Sequence, residues 1–324
     1  MKVLVVGLGS MGKRRVRLIQ QVDATVTIIG IDSQKTRTEE AYRLYGVDCY
    51  ASIDDALNEN DITCAFVCTS PLCHADIICD LLDRDVNVFS EINLVANRYD
   101  EIQKKAKQHH CVAFLSSTFL YRKDVDYIIQ RTSGKVVNYI YHTGQYLPDW
   151  HPWERIENFF VSDVRTNGCR EIMAIEFPWI TAAFGDITKV KVQKSSMTSL
   201  GLSYPDSYML LMEHASGSTG LVAVDVVARK ACRKLEVFNE ALQIFWEGTP
   251  NSVWEYSIDD KKLKNIACYD NVIHDSRYTD NIIENAYADE IIDFFDCVNN
   301  QHNQERYSYE KDYQVLKKID EIEA

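Results

Sequence analysis

An apolar run, Val3-Leu4-Val5-Val6, ends directly in Gly7-Leu8-Gly9-Ser10-Met11-Gly12, three glycines at G-x-G-x-x-G spacing. A helix-forming stretch, Lys13 to Gln20, follows at once, and a second apolar run, Val26 to Ile31, stops at Asp32. Strand, turn, helix, strand and acid in this order point to a dinucleotide-binding βαβ unit rather than to an ordinary strand-turn-helix with no ligand. Gly7 allows the tight turn, Gly9 lets the backbone approach a pyrophosphate, and Gly12 lets helix and strand pack closely. The N–H groups of Ser10, Met11 and Gly12 at the helix start attract phosphates. Asp32, about twenty residues past the last glycine, can accept hydrogen bonds from both ribose hydroxyls. Its charge would repel a 2′-phosphate, so NAD is expected rather than NADP. Lys35 and Arg37 could pair with such a phosphate, but they also read as a solvated loop.

Strand and helix signals keep alternating through the first third of the chain. A polar helix is expected from about Thr38 to Tyr45, and Ser52-Ile53-Asp54-Asp55 has the form of a helix cap. The strand Ile62–Cys68, the helix His74–Asp83, the strand Val86–Phe89, the helix Tyr99–Gln108 and the strand Cys111–Leu115 follow. This alternation implies a parallel sheet with helices on both faces. Ligands in such sheets bind at the carboxyl ends of the strands, so the turns after Val6, Ile31, Cys68 and Phe89 should line one crevice. Thr69, Ser70, His74 and Glu91 on those turns are candidates to touch the cofactor.

Past about Phe119 the texture changes to longer alternating runs. These are Lys135–Tyr141, Thr188–Lys194, Tyr208–His214, Gly220–Ala228, Lys234–Phe238, Ala241–Trp246 and Val253–Ser257. They read as an open, mainly antiparallel sheet with one face toward solvent. One helix interrupts them, from about Cys169 to Ala183. The tail, Tyr287 to Val298 and Lys311 to Ile322, is helical again. The expected class is therefore α/β. Residues 1–118 form a Rossmann domain and residues 119–324 an α+β domain for substrate binding and oligomerisation, whose last helices can pack back on the first domain.

With 324 residues the chain has room for two such cores. The balance of 35 Lys+Arg against 48 Asp+Glu, a net −13, argues against general nucleic-acid binding or attraction to anionic membranes. No apolar run reaches the ~20 residues of a membrane span, and the first residues read as a strand rather than a secretion leader. Ten cysteines are present. Cys64, Cys68, Cys73 and Cys79 cluster without a C-x-x-C pair, so reduced thiols in a cytoplasmic protein are expected and no metal.

The glycine turn, the stretch Val67-Cys68-Thr69-Ser70-Pro71-Leu72-Cys73-His74, the segment Val88-Phe89-Ser90-Glu91 and the tail Glu290-Ile291-Ile292-Asp293-Phe294 together resemble the Gfo/Idh/MocA oxidoreductases. The resemblance spans nearly the whole chain. It implies hydride transfer between a nicotinamide and a hydroxyl-bearing carbon of a sugar, amino sugar, nucleotide sugar or cyclitol. It also implies a homo-oligomer built on the open sheet. Two departures stand out. The family commonly reads Glu-Lys-Pro where this chain has Glu91-Ile92-Asn93, and its lysine donates to the reacting hydroxyl, which Ile92 cannot do. Many members carry Asp-x-Gly-x-His-x-x-Asp where this chain has Glu171, Ile175 and Pro178 at the Asp, His and Asp positions. These three residues share one helix face, and Pro178 should kink the helix.

Oxidising an alcohol by hydride transfer must also remove its hydroxyl proton. The replacement carrier is sought in His142-Thr143-Gly144-Gln145-Tyr146-Leu147-Pro148-Asp149-Trp150-His151-Pro152-Trp153-Glu154. His151 is the first choice because its ordinary pKa lies near neutrality. Tyr146 is the second, and Glu171 at a helix start is a third. Trp150 and Trp153 offer planes for the apolar faces of a sugar ring, although a tryptophan pair also suits a packed structural cover. Arg170 and Arg122 could hold a charged group on the substrate, although an internal salt bridge is the plainer role for Arg122. Two other functions remain open. An enzyme of this type can retain NAD and use transient oxidation to drive elimination, epimerisation or glycoside cleavage. A chain that has lost both usual donors can also act as an NAD-binding sensor or partner subunit.

Overall fold

The computed structural model describes residues 1–152, 155–275, 282–300 and 305–324. The chain divides into two compact units, Met1–Ser117 with Tyr287–Tyr313, and Thr118–Ala286 with Gln314–Ala324.

In the first unit β1 (Lys2–Val6), β2 (Thr27–Ile31), β3 (Asp48–Tyr50), β4 (Cys64–Val67), β5 (Asn87–Ser90) and β6 (Ala113–Leu115) form a parallel sheet in the order β3-β2-β1-β4-β5-β6. All four β4 positions are buried, as expected of a strand covered on both faces. The strand order reverses between β1 and β4, the switch point beyond which such sheets bind nucleotides. Val6 pairs with Ile31 on one side and Val67 on the other, so the turns after β1, β2 and β4 lie side by side. Around the sheet are α1 (Ser10–Val22), α2 (Lys35–Tyr45), α3 (Ile53–Glu59), α4 (His74–Leu82) and α5 (Tyr99–His109). Ser52 caps α3 by accepting from the Asp55 amide, as its sequence foretold. Phe294 of α8 (Glu284–Asn299) seals the sheet, with its ring centre 5.3 Å from Phe66 and 5.5 Å from both Phe89 and Phe114.

The second unit holds α6 (Lys123–Thr132), β7 (Asn138–Gly144), α7 (Gly168–Phe184), β8 (Ile187–Ser195), β9 (Ser207–His214), β10 (Thr219–Asp225), β11 (Cys232–Asn239), β12 (Leu242–Trp246), β13 (Val253–Ser257) and β14 (Lys262–Ile266). The sheet order is β14-β13-β12-β11-β7-β10-β9-β8. Its pairs are antiparallel except β7 with β10, which run the same way. Both strands therefore finish at one edge, Gly144 beside Asp225. The chain beyond them continues as a seam, with Tyr146 N donating to Ala228 O at 2.7 Å and Leu147 N to Val226 O at 3.1 Å.

Alternation gives this sheet two unlike faces. Tyr139 and Tyr141 of β7 point toward α7, where Tyr139 stacks on Phe184 and Tyr141 meets Trp179 edge-on. Ile140, Met209, Leu221 and Trp254 sit on the opposite face and are exposed. The structure departs from the sequence reading in several elements. β3, α6 and β14 were not anticipated, and β10 stops at Asp225 rather than Ala228, whereas α7 holds Pro178 within Gly168–Phe184, close to the expected bounds. Among the described residues no helix is long and apolar enough to cross a membrane.

Candidate active site

The glycine turn is shaped by close approach. A Cβ on Gly12 would lie 1.8 Å from the Gly7 carbonyl oxygen, and one on Gly7 would lie 2.7 Å from the Cys68 carbonyl oxygen. Gly7 also has φ +93°, which a larger residue rarely adopts. Above Gly9 the space is open, the nearest atom to a Cβ there being Arg37 Nη1 at 3.8 Å. Helix α1 begins with no side-chain cap and no acid in its first turn, so the amides around Ser10, Met11 and Gly12 face that space uncompensated. Asp32 is fixed by backbone donors, Leu8 N to Oδ2 at 2.7 Å and Gln34 N to Oδ1 at 2.8 Å. Each oxygen keeps a second lone pair for a ribose hydroxyl. These residues fit a dinucleotide with a free 2′-hydroxyl. Arg37 Nη1 sits 3.6 Å from Asp32, whereas Lys35 is in solvent beside Glu39.

Past β4 the Thr69-Ser70 turn is tied down by His74. Its Nε2 lies 2.9 Å from the Thr69 carbonyl and its Nδ1 lies 2.7 Å from the Asn93 side chain. Burial pushes the His74 pKa down despite these bonds. A neutral ring has one N–H. The two ring nitrogens face two oxygens, the Thr69 carbonyl and Asn93 Oδ1, so the single N–H serves one of them at a time. His74 thus locks the turn to the loop after β5. The hydroxyl of Thr69 is buried and has no hydrogen-bond partner among the described residues, consistent with contact to a ligand.

Glu91 has a different setting from the one its sequence position implied. Arg15 Nε donates to Oε1 at 2.6 Å and Nη2 to Oε2 at 3.2 Å. The same guanidinium reaches Glu290 at 2.8 Å. Ser117 N and Ser116 Oγ donate to the other Glu290 oxygen at 2.7 and 3.0 Å. Burial raises the Glu290 pKa even with Arg15 opposing it. Glu91 is therefore a member of a buried ion cluster rather than a group aimed at cofactor, and neither Arg15 nor Glu290 carried a local signal of this.

In the second unit the segment after β7 is tightly placed. The Arg229 guanidinium lies 3.7 Å over the ring of Tyr146. Trp150 donates from Nε1 to the Gln145 carbonyl at 3.2 Å, and its ring edge would be 3.7 Å from a Cβ on Gly168. The ring of His151 stacks on Phe159 at 4.0 Å. Trp153 and Glu154 lie outside the described residues. Asn167 caps α7, its Oδ1 accepting from Arg170 N at 2.8 Å.

The two arginines expected to meet substrate do other work. Arg170 is buried and bridges to Asp320 at 2.6 Å and to Glu323. Arg122 is buried, with Nη2 donating to Asp124 at 2.6 Å and to the Gly248 carbonyl at 2.8 Å. Carboxylates of their own unit engage both guanidiniums, which corrects the substrate-binding role given to them.

Glu171 lies in the first turn of α7. Its Oε2 is buried with no hydrogen-bond partner among the described residues, and burial pushes its pKa up to about 8. A carboxyl poised there can hold or release a proton near neutrality. One and a half turns on, Glu176 is fully buried and accepts from Tyr141 OH at 2.7 Å, Trp179 Nε1 at 2.7 Å and Arg233 Nε at 2.8 Å. The sequence reading missed Glu176 and Arg233. At the open edge His142 Nε2 pairs with Asp225 at 2.7 Å and its Nδ1 lies 3.7 Å from Cys232 Sγ. The bond to Asp225, then that to Cys232, raises the His142 pKa to about 10.

A doubly flanked parallel sheet with an uncapped glycine turn and a fixed acid defines a dinucleotide-binding scaffold. Residues 1–117 match the family model GFO_IDH_MocA, an oxidoreductase family with an NAD-binding Rossmann fold. Residues 1–117 therefore carry the NAD-binding domain of that family. No curated protein matches the chain in sequence. Among solved structures it is similar to the UDP-N-acetylglucosamine 3-dehydrogenase of Acidithiobacillus ferrooxidans, at 16% identity and TM-score 0.77 over 100% of this chain and 96% of that one. It is similar to levoglucosan dehydrogenase in complex with NADH and levoglucosan, at 15% identity and TM-score 0.82 over 99% and 96%. An oxidoreductase from Agrobacterium radiobacter, in complex with NAD+, L-tartaric acid and magnesium, matches at 10% identity and TM-score 0.79 over 99% and 94%.

Proposed function

We propose that the protein is an NAD-dependent oxidoreductase that moves a hydride between the nicotinamide and a hydroxyl-bearing carbon of a sugar, amino sugar, nucleotide sugar or cyclitol. The observation that carries this reading is the glycine turn, open above Gly9 and flanked by a backbone-fixed Asp32. The carbohydrate dehydrogenases among the structural neighbours support the substrate class. NAD, when bound, supplies the hydride-accepting ring. Asp32 holds the adenosine ribose, the first amides of α1 hold the pyrophosphate, and Thr69, Ser70 and the His74-locked turn are assigned to the rest of the cofactor.

The proton of the reacting hydroxyl needs a carrier, and Ile92 and Ile175 offer none. We assign it to Glu171, with His151 and Tyr146 as the other two carriers proposed. Glu171 leads because its Oε2 is buried with no hydrogen-bond partner among the described residues and burial pushes the carboxyl up to about 8. Trp150 is proposed to face the sugar ring. The open face carrying Ile140, Met209 and Leu221 is proposed to be covered by a second copy of the chain, and the cytoplasm is the compartment proposed from cysteine usage.

The test is a panel of sugars and cyclitols supplied with NAD and followed by NADH absorbance, then repeated with substrate deuterated at the reacting carbon. Deuterium appearing in NADH supports the reading. Isotope exchange without net NADH would mean transient oxidation. Bound NAD with neither signal would mean a sensor, the reading that the two isoleucines favour.

A further inference from the structure

Arg233 differs from the other buried arginines of its unit. It is the second residue of β11, in register with Thr143 of β7 on the α7 side of the sheet. Its Nε donates to Glu176 Oε1 at 2.8 Å, and its side chain keeps 19% exposure against none for Glu176. The guanidinium carbon sits 4.8 Å from the centre of the Phe119 ring. Its stem is held as well, since a Cβ on Gly248 would fall 2.5 Å from Arg233 Cβ, so only glycine lets that backbone close over it. Anchor, ring and stem together restrict the guanidinium.

Arg122 and Arg170 have their Nη groups on carboxylates. Arg233 donates through Nε alone. Among the described residues neither Nη1 nor Nη2 of Arg233 meets a protein acceptor, and neither is sealed from solvent. Glu176 does not cancel this charge alone for Arg233, because it also serves Tyr141 and Trp179. Arg122 lies 5.0 Å from the same Phe119 ring, with its own charge matched by Asp124. A planar fork held at one nitrogen, with its other two donors open, is arranged for a planar or tetrahedral oxyanion.

We infer that Arg233 is an anion-recognition residue whose Nη1–Nη2 edge binds a carboxylate or phosphate on the substrate. The substrates of the proposed oxidoreduction are then acidic carbohydrates, such as uronic acids or sugar phosphates, rather than neutral sugars. The substrate role rests on the oxidoreductase reading; the anion site rests on the geometry of Arg233.

Calorimetry on the whole protein with saturating NAD, which fills the phosphate-binding turn, tests the site without needing turnover. The probes are glucuronate, glucose 6-phosphate and glucose. Wild type should bind at least one charged sugar about tenfold or more tighter than glucose. Preference for glucuronate assigns a carboxylate, and preference for glucose 6-phosphate a phosphate. Arg233→Lys keeps a cation beside Glu176 but loses the fork, and should erase that preference while NAD affinity is unchanged. Should this variant fail to fold, competition in the unmutated protein decides instead: malonate or inorganic phosphate should displace the charged sugar. Equal binding of all three sugars, a preference that survives Arg233→Lys, or no displacement by either anion overturns the inference. Anion binding at Arg233 without NADH formation from any sugar would sink the oxidoreductase reading and leave the site standing.

Discussion

Arg15 and Glu91, 76 positions apart, meet through two hydrogen bonds of 2.6 and 3.2 Å inside the first unit. The pair is buried, and Glu290 shares the same cation. Removing one member of such a cluster leaves uncompensated charge in a low-dielectric interior. Arg15→Met should cost about 3–5 kcal/mol in chemical denaturation at neutral pH. The loss should shrink toward acid pH, where the two stranded carboxyls take up protons. A variant as stable as wild type would contradict this assignment.

Asp32 should control the choice of coenzyme. Asp32→Ser removes the acceptor for the ribose hydroxyls and the brace on Leu8 N. A lost hydrogen bond to a charged group corresponds to roughly a ten- to hundredfold weaker NAD complex. NADP should lose far less, because Arg37 already lies beside that position. Calorimetry with both coenzymes measures the two changes together, and parallel losses would count against the assigned role.

Glu171→Gln separates stability from catalysis. Burial raises the carboxyl to about 8 in the folded chain, above its unfolded value, so the favourable protonated state is kept at acid pH and lost as pH rises through about 8. The variant should match wild type in melting temperature at about pH 4 and exceed it progressively up to about pH 9. If Glu171 carries the proton, turnover should fall roughly a hundredfold or more. Wild-type alcohol oxidation should also rise with pH through about 8, a limb absent in the variant. Unchanged turnover would move the proton to His151 or Tyr146.

His142→Gln should show a different pH window. The bond to Asp225 raises the His142 pKa to about 10, so its contribution is whole below the unfolded value and lost as pH climbs through about 10. The melting gap between wild type and variant should be widest near about pH 6 and nearly closed above about pH 10. A gap independent of pH would mean that packing, not charge, holds the imidazole.

Leu221→Asp puts a charge at the centre of the open face, beside Ile140 and Leu211 in register. If a second copy covers this face, sedimentation should shift to a smaller species with the melting temperature of the isolated chain little changed. Identical sedimentation would remove the proposed interface.

What could be read in the sequence follows from how local each constraint is. The glycine turn was legible because Gly7 and Gly12 answer to atoms a few residues away or on the next strand, and no other residue type fits. The cap at Ser52 was legible for the same reason. Arg15 was not, because its partner Glu290 stands 275 positions off and burial alone makes the pair. Arg170 was assigned to substrate because its partners, Asp320 and Glu323, come from the far end of the chain. Arg122 was legible in part, because the internal salt bridge read as its plainer role is the one it makes with Asp124, two residues away. Strand β3 spans three residues, too few to show a period, and in α6 only Val125 and Ile128 mark a buried apolar stripe.

The one parallel pairing in the second sheet has a consequence for how this architecture can vary. Because β7 and β10 finish together, the connections leaving them are stitched at Tyr146–Ala228 and Leu147–Val226 before they diverge. Side chains beyond the stitch can change in length and chemistry without disturbing strand register, whereas an insertion between Gly144 and Leu147 would unpick both connections at once. New ligand preferences in such a scaffold should therefore arise downstream of residue 147 or 228, on a hem the sheet itself never has to re-sew.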